Sequence, residues 1–217
     1  EFFKKIGFRF TVGYGMTECA PLISHAFWDE FKLHSVGKVL PTMEAKILSN
    51  DPQNEVGEIL VRGENVMLGY YKNEEATRLA LDEDGWLHTG DMGTMDYDGT
   101  IYIKGRNKNM LLGPSGQNIY PEEIENKLNN MPFVLESLVL QNAENKLVAL
   151  VVPDYDAMDE AKLTTKDLEL VMEENRKALN ETTAAYESIT KIQIYPSEFE
   201  KTPKKSIKRF LYVNQLK

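Results

Sequence analysis

A single cysteine, Cys19, stands among the 217 residues, so no disulfide can close within the chain and a disulfide-stapled scaffold is excluded. No cysteine and histidine cluster has the spacing of a zinc site. Histidines number three, His25, His34 and His88, and none has a carboxylate-and-nucleophile arrangement. Long apolar runs are missing: the longest, Leu147–Val152, is far too short to span a bilayer and is expected to be a buried strand. Positive charge is in short supply, with 25 Lys and Arg against 34 Asp and Glu and a net charge of -9. That balance argues against nucleic acid as a main partner, because phosphate binding needs a basic footprint. No signal peptide is visible from Glu1 onward, and no repeat or low-complexity tract is present.

What remains is a chain with 42% hydrophobic and 27% charged residues, suited to one large or two small globular domains. Strands are expected at 7–14, 44–49 and 57–62, with Asn50-Asp51-Pro52 turning between the last two. A helix capped by Asn73 is expected over 73–81, and a hairpin around Asp98-Gly99. Beyond Arg106 the pattern mixes helices (121–130 and 165–180) with strands (133–141, 146–152 and 189–195), then a basic segment from Lys201 to Arg209. These signals place a domain boundary near Arg106, giving segments 1–105 and 106–217.

Four motifs can carry chemistry. In Gly13-Tyr14-Gly15-Met16-Thr17-Glu18 a strand ends in glycines, which let backbone approach a ligand. The Thr17 hydroxyl can donate to a phosphate or carboxylate oxygen, and Glu18 can hold Mg²⁺; the plainer alternative is a polar turn. In Gly85-Trp86-Leu87-His88-Thr89-Gly90-Asp91 a carboxylate between glycines on a tight loop can accept both hydroxyls of a ribose, or else cap local amides. Arg106, in Lys104-Gly105-Arg106-Asn107-Lys108, offers a forked donor to phosphate or ribose oxygens, or is a surface arginine between strands. Residues 113–125 form a glycine-bearing loop feeding a helix, which is also ordinary punctuation. Cys19 follows Glu18 directly and is expected to pack rather than react.

Each motif is weak alone. In their order and spacing GYGMTE, GEILVRGENVMLGYY, GWLHTGD and GRNKNMLL…GQNIYPEEIE resemble the adenylate-forming superfamily of acyl-CoA synthetases, luciferases and peptide-synthetase adenylation domains. The likeness runs from about Gly7 to Arg209, and GRNKNMLLGPSGQNIYPEEIE is most similar to the long-chain fatty acyl-CoA synthetases. The resemblance implies an α+β fold: the strand-rich end of a large adenylating domain, then a small mobile α+β lid domain. It also implies two steps: a carboxylate attacks ATP to give an acyl-adenylate and pyrophosphate, then a thiol, usually of coenzyme A, takes the acyl group. By motif matching, Tyr14, Gly15 and Thr17 line the adenylate site and Glu18 holds Mg²⁺, with Thr17 and Glu18 taking part in catalysis. Asp91 and Arg106 bind the ribose, Lys108 is the hinge between half-reactions, and Gly116 lies in a loop approaching the thiol tunnel. The implied cofactors are ATP, Mg²⁺ and coenzyme A, and the implied partner is a fatty acid or another carboxylate. The implied location is the cytoplasm, with peripheral contact at the inner membrane face left open.

Two departures qualify the likeness. The family's Gly/Ser/Thr-rich phosphate loop is absent, so the chain is expected to be the C-terminal part of a longer ligase. The family's KTxSGKIxR segment reads Lys201-Thr202-Pro203-Lys204-Lys205-Ser206-Ile207-Lys208-Arg209, which puts Ser206 where a lysine stabilises charge during adenylation. Lys205 could supply the ammonium by a one-residue shift, with Lys204 a weaker candidate, or these lysines form a solvated basic tail. Two alternatives stay open: a ligase for another carboxylate or a carrier-protein thiol, and a non-catalytic nucleotide or acyl-adenylate binding module, which Ser206 favours.

If donors to the β- and γ-phosphates are lacking, these 217 residues alone, incubated with ATP, Mg²⁺, coenzyme A and palmitate, should give no thioester or AMP by mass spectrometry. Sustained turnover would reveal a phosphate site within them. Apolar surface over residues 1–40 should also drive self-association.

Overall fold

Two compact units divide the chain, Glu1–Lys108 and Asn109–Lys217, and the computed structural model describes residues 2–213. In the first unit a short helix, α1 (Phe2–Lys5), precedes β1 (Thr11–Gly15), β2 (Leu22–Phe27) and the two-residue β3 (Lys38–Val39), which form an antiparallel three-stranded sheet. β4 (Met43–Leu48), β5 (Gly57–Gly63), β6 (Leu87–Met95) and β7 (Ile101–Arg106) make a second, four-stranded antiparallel sheet in chain order, with α2 (Glu74–Ala80) between β5 and β6.

Local chemistry explains the boundaries. Asp51 accepts the Asn54 and Glu55 amides on its carbonyl, turning β4 into β5. Asn73 caps α2 by accepting the Ala76 amide at 3.1 Å. Inward positions of the four-stranded sheet, Ile47, Ile59, Val61, Leu87 and Ile101, pack with Tyr14 and Ile23 of the first sheet and with Cys19 between β1 and β2 into one core. Backbone bonds between Val36 and Ile101 and between Ile101 and Gly37, each 2.9 Å, stitch the two sheets together.

The second unit opens with a two-stranded hairpin, β8 (Leu111–Leu112) and β9 (Asn118–Ile119), then α3 (Pro121–Leu128) with proline in its first turn. β10 (Val134–Gln141) pairs antiparallel with β11 (Leu147–Pro153), and after α4 (Tyr155–Glu160) and α5 (Thr165–Glu181) the chain returns as β12 (Ile189–Ile194), parallel to β11. Every residue of the central β11 is buried, because both faces are covered. Leu147, Ala149 and Val151 face a cluster with α3 and α5, while Leu150 and Val152 face Phe199 and Tyr212. Thr164 and Asp167 form a reciprocal cap that starts α5.

The architecture is α+β, strand-rich in the first unit. Several elements depart from expectation. β2 was not anticipated, because Ser24 and His25 break its apolar run; Ser24 is fully buried and donates to the Val36 carbonyl at 2.8 Å. The first strand begins at Thr11 rather than residue 7, and α1 and α4 are too short to show a helical period. The stretch from Lys201 to Arg209 is ordered, although Lys204 and Lys205 within it are exposed. It is a tight hairpin closed by Lys201 pairing with Ile207, and Lys201 bonds Glu136 at 2.7 Å.

Arg209 anchors that hairpin. Its guanidinium makes a two-pronged pair with Glu125, 2.8 Å on each arm, and donates to the Val139 carbonyl at 2.9 Å. Glu125 Oε1 also accepts the Val139 amide at 2.6 Å. The exposed edge of β10 is thus capped by side chains from α3 and the C-terminal segment. Burial opposes the charge on Arg209, but its bonds to Glu125 outweigh that and hold it above its ordinary range.

Glu125→Ala should therefore destabilise the second unit by about 3–5 kcal/mol in urea unfolding, since a buried guanidinium and a strand amide lose their partner together. A loss under about 1 kcal/mol would mean that the pair is solvated and dispensable.

Candidate functional site

Asp91 lies in β6, not on the tight loop expected for it, and only 5% of it is exposed. The strand carries a bulge at this point: Glu58 pairs with Met92 and Leu60 with His88, so residues 89–91 stand opposite Ile59 alone. Gly90 takes a left-handed conformation (φ 71°) that a side chain would strain. Thr89 holds the bulge from within, donating its hydroxyl to the Ile59 carbonyl at 2.7 Å and accepting the Asp91 amide at 3.0 Å. Bulges re-aim side chains, and this one turns the Asp91 carboxylate toward the end of β1.

There it meets two partners. Tyr14 donates its hydroxyl to Asp91 Oδ2 at 2.6 Å, and Arg106, opposite Asp91 in the β6–β7 register, places Nε 2.7 Å from Oδ1. Burial first, and the Asp91 charge second, raise the Tyr14 phenol far above its ordinary value, so it stays a neutral donor. Arg106 is exposed, and its charge offsets that of the buried carboxylate. Residues from three separate motifs thus converge on one carboxylate.

Past Tyr14 the backbone crowds. A Cβ on Gly15 would stand 2.0 Å from the Pro21 carbonyl oxygen, so only glycine fits where β1 meets β2. Thr17 and Glu18 follow on a single helical turn, Thr17–Cys19, with Thr17 exposed and Glu18 half-buried. Tyr70 donates to Glu18 Oε1 at 3.0 Å, and the Glu18 carbonyl accepts the Met67 amide at 2.7 Å. Tyr70 and Thr89 went unnoticed in the sequence, since each acts through a contact far along the chain. Beside Tyr70 a groove of about 450 Å³ is lined by Leu68, Gly69, Glu74, Thr77 and Arg78, and none of the residues named from the sequence lines it.

No three His, Cys, Asp or Glu side chains among the described residues form a metal cage. Mg²⁺ needs none: it keeps several waters and takes one or two carboxylates plus substrate phosphates, a role one half-exposed carboxylate such as Glu18 can fill.

Lys108 is exposed, in the turn Asn107–Asn109, and is the last residue of the first unit. In the second unit Gly116 sits at the exposed tip between β8 and β9 with φ 82° and open space around it. The Lys201–Ile207 hairpin keeps its register: Thr202 bonds the Ser206 carbonyl at 2.8 Å and accepts the Lys205 amide at 2.8 Å. Lys205 therefore occupies a left-handed position (φ 60°), where the family pattern has glycine, and both Lys205 and Ser206 are exposed.

Two family models match this chain. One, described as AMP-binding enzyme, covers residues 1–71; the other, described as AMP-binding enzyme C-terminal domain, covers 109–217. The long-chain-fatty-acid–CoA ligase FadD15 of Mycobacterium bovis is 31% identical over 228 residues, covering 96% of this chain and 37% of that protein. The anthranilate CoA ligase AuaEII in complex with anthranoyl-AMP superposes with a TM-score of 0.82 at 26% identity, over 99% of this chain and 40% of that one. The o-succinylbenzoate CoA synthetase MenE of Bacillus subtilis, in complex with the acyl-adenylate intermediate OSB-AMP, gives 0.79 at 28%, over 100% and 42%. The chain thus spans only 37% to 42% of the length of these proteins.

Cys19, wholly buried next to Glu18, has its thiol pushed up to about 11 by burial and then by the Glu18 charge. At pH 8 a disulfide reagent should modify native Cys19 at least about a hundredfold more slowly than the unfolded chain, because the thiolate is the reactive species. Equal rates would mean that the turn opens freely.

Proposed function

The chain belongs to the AMP-binding enzyme family, and from that premise we propose that it serves an ATP-dependent, AMP-forming ligase that converts a long-chain fatty acid to its coenzyme A thioester. The observation that carries the proposal is the convergence of Tyr14 and Arg106 on the buried carboxylate of Asp91. A carboxylate held in one orientation suits the paired hydroxyls of a ribose. Thr17 is then placed to donate to a phosphate oxygen, and Glu18 to hold Mg²⁺, which supplies charge neutralisation at the phosphates.

In the first half-reaction the substrate carboxylate oxygen bonds the α-phosphorus, and the bond from that phosphorus to the bridging oxygen breaks, releasing pyrophosphate. In the second, the thiolate sulfur bonds the acyl carbon and AMP leaves. Lys205 supplies the ammonium that stabilises charge in the first step, and Gly116 belongs to the loop that approaches the thiol. Lys108, the last residue of the first unit, serves as the hinge that carries the second unit between the two steps. The chain's two units are thus assigned to the end of a large adenylating domain and to its mobile lid.

The fatty-acid substrate is favoured by the name of FadD15, matched over 96% of this chain. A ligase for another carboxylate is the second reading, favoured by the likeness to AuaEII and MenE. A non-catalytic binding module is favoured by Ser206 alone.

In the ligase carrying this chain, Asp91→Ala should weaken ATP binding or slow pyrophosphate exchange at least about tenfold, since a hydrogen bond to a charged group contributes about 1.5–3 kcal/mol. Wild-type behaviour in both assays would sink the assignment. Lys205→Ala should depress acyl-adenylate formation far more than thioester formation from supplied adenylate. If Lys204→Ala does so instead, the ammonium comes from the neighbouring lysine.

A further inference from the structure

The bulge that carries Asp91 has a second support, on the neighbouring strand. Glu58, on β5, divides its carboxylate between two backbone-distant partners. Oε1 accepts the Gly90 amide at 3.0 Å, and Oε2 lies 2.9 Å from His88 Nδ1. The side chain is mostly covered, 16% exposed, and His88 is 33% exposed. Gly90 is the left-handed residue of the bulge, so its amide points away from the regular ladder and needs an acceptor elsewhere. Thr89 fixes the bulge on one side of that glycine and Glu58 fixes it on the other. Between them the direction of the Asp91 carboxylate is set.

We infer that Glu58 is a positioning residue for the nucleotide site, acting through Gly90 and His88 to aim Asp91. The inference rests on the assignment of Asp91 to the ribose. Glu58 touches no nucleotide itself; removing it lets the bulge relax, and the carboxylate moves off its acceptor position while remaining in the chain. Glutamine can restore both contacts, since its carbonyl accepts the Gly90 amide and its amide donates to His88 in the complementary tautomer.

The test compares Glu58→Ala, Glu58→Gln and Asp91→Ala in the ligase carrying this chain. Glu58→Ala should raise KM for ATP roughly tenfold or more, as expected when a binding group is displaced by a fraction of an ångström, while KM for coenzyme A stays within about twofold. Glu58→Gln should recover most of the loss. Amide hydrogen exchange at Gly90 should accelerate in Glu58→Ala and not in Asp91→Ala. If Asp91→Ala raises KM for ATP and Glu58→Ala does not, the positioning role is overturned while the nucleotide site stands. A uniform loss of stability and of every kinetic constant, unrescued by glutamine, also overturns it. If Asp91→Ala itself leaves KM for ATP unchanged, the assignment of Asp91 fails, and the positioning role falls with it.

Discussion

The Asp91 carboxylate is the constraint on which the first unit's surface depends. A buried charge must be paired, and this one is paired by a phenol from one sheet and a guanidinium from the other. The contact locks the end of β1, the strand that leads into the turn Thr17–Cys19, against β6 and β7. Losing Tyr14 or Arg106 would strand part of a buried charge, so the three motifs are energetically coupled although 77 residues separate Tyr14 from Asp91.

The second unit repeats this chemistry for a different purpose. Glu125 and Arg209 form a buried pair that closes the open edge of β10, and the bonds to Val139 leave no polar group of that residue wasted at the edge. Arg209 lies two residues past the hairpin's closing pair, so the pair fixes the hairpin's register and with it the placement of Lys205 and Ser206. A slip of one residue would pull Arg209 from its partner. The position of a lysine near the hairpin tip is thus set from inside the unit rather than by the tip itself.

Much of the architecture was legible from periodicity and punctuation. The apolar run Leu147–Val152 announced the central strand, Asn73 and Pro121 announced two helix starts, and Asp98-Gly99 announced a turn. What escaped were features that depend on distant partners. Ser24 is buried only because the Val36 carbonyl receives its hydroxyl, so β2 did not read as a strand. Asp91 looked like a loop residue because it follows a glycine, whereas that glycine serves a bulge inside a nine-residue strand. A tail stayed open as one reading of the lysine-rich end because the carboxylates that receive Lys201 and Arg209 lie far upstream. Motif order was enough to name the candidate site residues; the side chains that contact them or the bulge that carries Asp91, namely Thr89, Tyr70 and Glu58, were not named, since each acts across a fold the sequence does not display.

The central claim is that Asp91, fixed by Tyr14 and Arg106, receives the ribose of the adenylate. The most direct measurement is a crystal structure of the ligase carrying this chain, bound to a non-hydrolysable acyl-adenylate analogue. The account predicts the two ribose hydroxyls at hydrogen-bond distance, about 2.5–3.0 Å, from the Asp91 carboxylate, with the Tyr14 and Arg106 contacts retained. A ribose bound elsewhere, with Asp91 still buried between its two partners, would contradict it.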